Sequence, residues 1–151
     1  SRVLATVFVD AALPPADART TTPASAAFFD WLAPKADAFG VLPVWTQWWD
    51  EEEVNDLFPD ATTQERVEGQ QQHLPLAYFA EQLTVPQGWD AAPGAYLAFG
   101  DTYAEETRAA RERGWPVTVT PGSHLEMLSR PARVAQHVRR LADEVRSADK
   151  R

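Results

Sequence analysis

The chain has 151 residues, of which 44% are hydrophobic and 24% are charged, and its formal net charge is -8. This size and composition are typical of one globular domain and exclude a fibrous or disordered chain. The negative charge argues against a nucleic-acid partner, because phosphate binding requires clustered lysine and arginine. No apolar stretch approaches the roughly 18 to 20 residues of a membrane-spanning helix, so we expect no membrane partner. Cysteine is absent, so redox chemistry does not indicate the compartment, and the cytoplasm is the default expectation.

Three short runs have the composition of buried β-strands. They are residues 3–9, 95–99 and 116–120. The first run ends at Asp10, the second at Gly100 and Asp101, and the third at Pro121. Because apolar residues do not alternate with polar ones in these runs, we expect both faces of each strand to be buried, as in a parallel sheet.

Two helices are predicted beside the third strand. Residues 102–113 carry opposite charges one helical turn apart, and Gly114 follows as a C-terminal stop. A second helix is predicted over 131–147, with Pro131 at its first position. Its apolar residues recur at helical spacing and are Val134, Val138, Leu141 and Val145. Residues 93–151 therefore read strand, helix, strand, helix, which predicts an α/β fold with a parallel sheet and flanking helices.

The segment 20–92 has a different character. It is rich in tryptophan, proline and acidic residues and offers no strong strand. The predicted helices are 24–38, 50–58, 62–72 and 76–82. We interpret this segment as a helical lid inserted over one end of the sheet. The prediction for 1–151 is thus one α/β domain, with a strand and turn in 1–19, the lid in 20–92, and the βαβα core in 93–151.

A histidine follows the third strand, in the turn formed by Pro121, Gly122, Ser123 and His124. Open α/β sheets place their functional sites at the carboxyl ends of parallel strands, which is where this histidine lies. Asp101 follows the preceding strand, so the spacing favours a carboxylate that orients the imidazole, as in a Ser-His-Asp triad. The alternative is structural, with His124 as a turn residue and Asp101 as the N-cap of the next helix.

Four segments together resemble the α/β-hydrolase family. The runs AYLAFGDTYAEE and RGWPVTVTPGSHLEMLSRPARVAQHVRRL resemble its last two strands, with the acid turn, the histidine turn and the terminal helix. The run VFVDAALPP resembles the strand after the nucleophile helix, and HLPLAYFAEQLTVPQGW resembles the end of a small lid in bacterial esterase-like members. The resemblance covers nearly all of this chain but only the second half of the family's fold, so the family's N-terminal half is expected to be missing.

The resemblance implies catalytic roles for two residues and leaves a third role open. His124 would be the general base, and Asp101 would hold its tautomer and stabilise the imidazolium. Some members of the family carry the acid after the earlier strand, which makes Asp10 a second candidate. The structural alternative for Asp10 is a turn residue.

The family's nucleophile motif is absent. Its serine sits in a G-x-S-x-G elbow, where small flanking residues let a strained turn form. The serines here are Ser1, Ser25, Ser123, Ser129 and Ser147, and none has that context. We therefore expect this chain alone to be nearly inert as a hydrolase, and to be either a fragment of a longer protein or one half of a two-part assembly.

Trp48 and Trp49 are the residues of the predicted lid that we would test first for contact with substrate. Aromatic side chains on a lid can line an apolar pocket. They also give a short helical insert enough buried area, since each buries about 150 to 250 Å². The sequence is consistent with both interpretations, substrate binding and core packing.

No cofactor and no metal ion are expected. The acidic run from Asp50 to Glu53 is satisfied by a helix dipole and by water. His73 and His137 stand alone in the sequence, without the spacing of a metal site.

The leading prediction is a serine-type hydrolase of small apolar esters or amides, with the nucleophile supplied from outside this chain. A non-catalytic ligand-binding or assembly module of the same descent is one alternative, and its open sheet edge could pair with a partner chain or with the missing half. A lyase that uses the same His-Asp pair is another alternative, because the family supports that chemistry as well.

Overall fold

The computed structural model describes residues 5–148. Its strands are β1 (Thr6–Val9), β2 (Thr20–Thr21), β3 (Leu83–Thr84), β4 (Gly94–Phe99) and β5 (Val117–Thr120). Its α-helices are α1 (Ala26–Leu32), α2 (Glu51–Asn55), α3 (Ala61–Glu68), α4 (Ala104–Glu112), α5 (Glu126–Ser129) and α6 (Pro131–Ala148). These elements fall into two compact units, one formed by 5–16 with 86–148 and the other by 17–85. We call them the sheet unit and the inserted unit.

The sheet unit contains a three-stranded parallel sheet in the order β1, β4, β5. In the first pairing Val9 lies opposite Leu97, and in the second Phe99 lies opposite Thr120. The predicted α/β class and the parallel arrangement are confirmed. The predicted first strand began at Val3, which lies outside the described residues.

Each face of this sheet packs against a different helix. Alternate residues of β4 point to opposite faces. Ala95, Leu97 and Phe99 pack against the apolar stripe of α6, including the fully buried Leu141. The opposite face carries Tyr96, Ala98 and the α4 residue Ala110, with partly buried aromatic side chains around them. Full burial of one large apolar side chain stabilises the fold by roughly 1.5 to 3 kcal/mol.

The two predicted helices of this unit are confirmed, and their ends follow from the sequence. The carbonyls at the end of α4 accept from Gly114 N at 2.9 Å and from Trp115 N at 3.1 Å. Gly114 has φ +72, so this is a Schellman ending, which favours glycine because the left-handed region strains other residues. Helix α6 begins at Pro131 and runs to Ala148.

The expectation that all three strands are fully buried holds for one of them. Every residue of β4 is buried, whereas the described residues of β1 are half-buried or exposed, and β5 is buried only at Thr120. The reason is position, because β1 and β5 are the two edges of the sheet as described.

The inserted unit is held together by an aromatic and aliphatic cluster. Its buried members are Ala24, Leu32, Leu42, Trp48 and Phe79. The predicted helices of this segment are shorter in the structure. The first predicted helix corresponds to α1, which is followed by a short 3₁₀ turn. The last predicted helix corresponds to a 3₁₀ turn over Leu76–Ala80.

One feature of the inserted unit was not predicted. Strands β2 and β3 form an antiparallel pair, with Thr20 opposite Thr84 and Thr21 opposite Leu83. Each strand has two residues, which is too short for an alternating pattern to be visible in the sequence. Among the described helices of both units, none is long and apolar enough to cross a membrane.

Candidate functional site

The carboxyl ends of the three parallel strands meet at one edge of the sheet. Asp10 follows β1, Gly100 and Asp101 follow β4, and the turn that contains His124 follows β5. Since β4 lies between the other two strands, a contact between the β1 and β5 turns has to cross the end of β4. The structure contains such a contact.

His124 is hydrogen-bonded to Asp10. The distance from His124 Nδ1 to Asp10 Oδ2 is 2.7 Å. An ionised carboxylate only accepts hydrogen bonds, so Nδ1 carries the proton and donates it. The Nε2 atom is then the basic nitrogen, and it makes no hydrogen bond with the described part of the chain. The Asp10 side chain is fully buried, whereas the His124 side chain is 43% exposed. The base of the pair, His124, is therefore accessible, and the acid, Asp10, is buried.

Both carboxylate oxygens of Asp10 have a partner. Oδ1 accepts from the backbone N–H of Phe99 at 2.8 Å, at the end of β4. The backbone N–H of Asp10 itself donates to Leu97 O at 2.7 Å. A buried carboxylate is tolerated only when it is hydrogen-bonded in this way. The interactions leave Asp10 little freedom to move.

The backbone of Asp10 is in an uncommon conformation. Its φ is +43, and it is the only described residue other than glycine with a positive φ. Such a conformation costs of order 1 kcal/mol or more and persists when the surrounding structure fixes it. In this turn it directs the carboxylate inward, toward the end of β4, and it is the reason that Asp10 can meet His124.

Tyr96 fixes the residue after Asp10. Its hydroxyl donates to Ala11 O at 2.6 Å and accepts from Ala11 N at 3.2 Å. Burial is the main cause that raises the pKa of Tyr96 above its ordinary value, and the charges of Glu106 and Asp10 raise it further. The hydroxyl therefore stays protonated and remains a donor to the turn at neutral pH.

Tyr103 lies beside His124, with 5.8 Å between the ring centroids. Burial raises the pKa of Tyr103, and the nearby negative charge of Asp10 acts in the same direction. The side chain is therefore a neutral phenol next to the imidazole, and it forms part of the wall around the base. Neither Tyr96 nor Tyr103 was identified from the sequence, because nothing in their local pattern distinguishes them from core aromatics.

The prediction that Asp101 orients His124 is corrected by the structure. Asp101 is exposed, in the turn before α4, and no hydrogen bond joins its carboxylate to His124 within residues 5–148. The physical reason is the residue before it. Gly100 has φ +66 and turns the chain at the end of β4, so Asp101 is carried outward while Asp10 occupies the inner position. The N-cap alternative also fails, since α4 has Tyr103 at its N-cap.

Gly100 lets the turns after β4 and β5 approach closely. The Gly100 N–H donates to Thr120 O at 3.0 Å. A Cβ atom at Gly100 would lie 3.3 Å from the carbonyl oxygen of Gly122, which is tighter than an ordinary van der Waals contact. The turn that carries His124 therefore rests directly on the backbone at the end of β4.

Trp48 and Trp49 lie in the inserted unit. Trp48 is buried, and its indole Nε1–H donates to Pro43 O at 2.7 Å. Its ring lies 5.6 Å from that of Phe79 and 5.6 Å from that of Trp49, which is half-buried. Trp48 therefore packs in the core of this unit, and a role of either residue in substrate binding stays a prediction.

None of the described serines is hydrogen-bonded to His124. Ser25 Oγ accepts from Phe28 N as the N-cap of α1, and Ser147 Oγ donates to Asp143 O. Ser123, although adjacent to His124 in sequence, makes no side-chain hydrogen bond within the described residues. The described residues also contain no group of three or more potential metal-ligating side chains, and the acidic run at Asp50 forms the first turn of α2.

No protein-family model, no curated protein and no solved structure matches this chain.

Proposed function

We propose that this chain supplies the general base and the acid of a serine-type hydrolase that acts on small apolar esters or amides. The observation that carries the proposal is the 2.7 Å hydrogen bond between His124 Nδ1 and the buried carboxylate of Asp10. It leaves Nε2 as the basic nitrogen, which is the arrangement that acyl transfer requires of a histidine base. The acid role thus moves from Asp101 to Asp10.

The proposed reaction is acyl transfer to water. Nε2 of His124 takes the proton of a serine hydroxyl, and the serine oxygen forms a bond to the substrate carbonyl carbon. The imidazolium then returns its proton to the leaving oxygen or nitrogen as the bond to that atom breaks. Water repeats the sequence on the acyl-serine and releases the carboxylic acid. The buried negative charge of Asp10 stabilises the imidazolium during both steps.

The serine is proposed to come from residues other than the described ones. No described serine is bonded to His124, and no G-x-S-x-G elbow is present in the sequence. The Nε2 side of His124 is where that hydroxyl would have to arrive. The role of the inserted unit as a lid also stays a prediction.

Hydrolysis by the full-length product of the gene that encodes this chain tests the proposal. We expect turnover of short p-nitrophenyl esters, and a loss of several powers of ten in rate on His124→Ala. His137→Gln is the matched control, because His137 lies half-buried on α6 and we assign it no role; its rate should be unchanged.

Two results would contradict the hydrolase assignment. One is turnover that survives His124→Ala. The other is the absence of ester and amide hydrolysis above the uncatalysed rate, and cleavage of cyanohydrins by the same protein would then assign the dyad to the lyase alternative.

A further inference from the structure

A second buried carboxylate lies two residues after His124. Glu126 is 5% exposed, and with Asp10 it makes up the buried acidic residues of the described chain. It is the first residue of α5, a helix of only four residues. A carboxylate in the first turn of a helix is ordinarily solvated, so the burial of Glu126 requires a separate explanation.

Glu126 contacts the turn that carries His124 at two points. Its backbone N–H donates to Ser123 O at 2.9 Å. Its side chain lies against Gly122, where an added Cβ atom would come within 2.6 Å of Oε2 and 2.7 Å of the carboxylate carbon. The Glu126 side chain thus occupies the space that any other residue at Gly122 would need.

The same turn also lies close to the end of β4. The carbonyl oxygen of Gly122 faces Gly100 at the end of β4, with only 3.3 Å to a Cβ atom built there. Gly122 is therefore close to the end of β4 through its carbonyl oxygen and close to the Glu126 carboxylate through its Cα. These two contacts of Gly122 fix the position from which His124 reaches Asp10.

Arg130 holds the Glu126 carboxylate in place. The distance from Arg130 Nη1 to Glu126 Oε1 is 2.9 Å, and the Arg130 side chain is 55% exposed. Arg108 and Glu112 form a pair of the same spacing in α4, but both of those side chains are more than half exposed. An exposed pair of this kind contributes little to stability. The burial of the Glu126 partner is what distinguishes the two pairs.

We propose that Glu126 is a positioning residue for His124, acting through Gly122 and held by Arg130. It keeps the turn after β5 in the one conformation that places Nδ1 on the Asp10 carboxylate. A role of Glu126 in catalysis rests on the proposed hydrolase function. Its effect on the hydrogen bond between His124 and Asp10 is independent of that function.

The test is an NMR measurement on this chain without substrate. The Nδ1–H proton of His124, hydrogen-bonded to a buried carboxylate, should give a resolved downfield resonance. We expect Glu126→Ala to abolish that resonance through exchange with water, and Glu126→Gln, which keeps the shape of the side chain, to retain it. Glu112→Ala is the matched control, since it removes the exposed pair of the same spacing, and should change nothing.

A resonance that survives Glu126→Ala unchanged would overturn the proposal, as would its loss in Glu112→Ala. If Glu126→Ala does not fold, Arg130→Ala replaces it. That substitution removes a half-exposed side chain and frees the carboxylate, and we expect the resonance to weaken; an unchanged resonance overturns the proposal. Ester hydrolysis is measured separately on the full-length gene product, so failure of the hydrolase proposal and failure of the positioning proposal give different results.

Discussion

The turns after β1 and β4 look alike in sequence and differ in structure. Each turn contains an aspartate at the same edge of one parallel sheet, directly after β1 in one case and separated by one residue from the end of β4 in the other. Asp10 is fully buried and bonded to His124 at 2.7 Å, whereas Asp101 is exposed in the turn that leads to α4. The edge of the sheet alone therefore does not determine which acid meets the base.

The difference arises from the residue that takes the positive φ. In the β1 turn that residue is Asp10 itself, with φ +43, and its carboxylate faces the N–H of Phe99. In the β4 turn it is Gly100, with φ +66, and the aspartate comes one residue later. A shift of one residue in the turn decides whether the carboxylate faces inward or outward.

The largest expected effect is on the rate of the proposed ester hydrolysis, measured with the full-length gene product. Asp10→Asn keeps an oxygen for Phe99 N–H but no longer fixes the tautomer of His124, so we expect kcat/KM to fall by about 10⁴-fold, or about 5.5 kcal/mol. Asp101→Asn removes an exposed carboxylate and should leave kcat/KM within about twofold. Equal losses in the two variants, or a larger loss in Asp101→Asn, would contradict the assignment of the acid.

The next effect concerns the glycine that turns the chain after β4. We expect Gly100→Ala to lower the free energy of unfolding by about 2 to 4 kcal/mol, from the left-handed backbone and from crowding against Gly122 O. Gly114→Ala is the matched control, because its φ is +72 but nothing lies within 4 Å of an added Cβ. It should cost only about 1 to 2 kcal/mol. Denaturant unfolding of both variants measures the difference, and equal costs would show that the approach to Gly122 is unimportant.

Tyr96→Phe tests the support of the Asp10 turn. Loss of the hydroxyl leaves the backbone groups of Ala11 without their partner, so we expect a destabilisation of about 1 to 3 kcal/mol. The native state keeps the Tyr96 proton to a higher pH than the unfolded state does, because burial raises its pKa above the ordinary value. Wild-type stability should therefore fall as the pH rises above about 10, and the variant should lack this contribution. If the stability of the variant fell with rising pH as steeply as that of wild type, the attribution of this fall to Tyr96 would be wrong.

The smallest effect is expected for the exposed acid. Asp101→Asn should change the free energy of unfolding by no more than about 0.5 kcal/mol, as is usual for an exposed position without a structural role. Thermal or denaturant unfolding measures it. A loss of 2 kcal/mol or more would show that the β4 turn depends on this carboxylate as the β1 turn depends on its own.

The sequence predicts the strands and the two long helices of the sheet unit because their signals are local. An unbroken apolar run marks β4, and apolar residues at helical spacing mark α6. The position of His124 after a parallel strand follows from the same pattern. The hydrolase resemblance and the function it implies stay predictions.

The acid partner was not predictable in this way, because it depends on tertiary geometry. Asp10 and Asp101 differ in a backbone angle and in the direction of the side chain. Neither of these properties can be predicted from the neighbouring sequence. The buried state of Glu126 has one faint sequence signal, which is the spacing of four residues to Gly122 on one side and to Arg130 on the other. Strands β2 and β3 have no recognisable sequence signal, since each has only two residues.

The most direct test is the protonation of the His124 ring, observed by nitrogen NMR of the chain with labelled histidine. The chain has three histidines, so His124→Ala identifies the signal. We predict that neutral His124 carries its proton on Nδ1, that Asp10→Asn abolishes this preference, and that Asp101→Asn leaves it intact. A proton on Nε2 in the wild-type chain, or a ring that responds to Asp101→Asn and not to Asp10→Asn, would contradict the dyad.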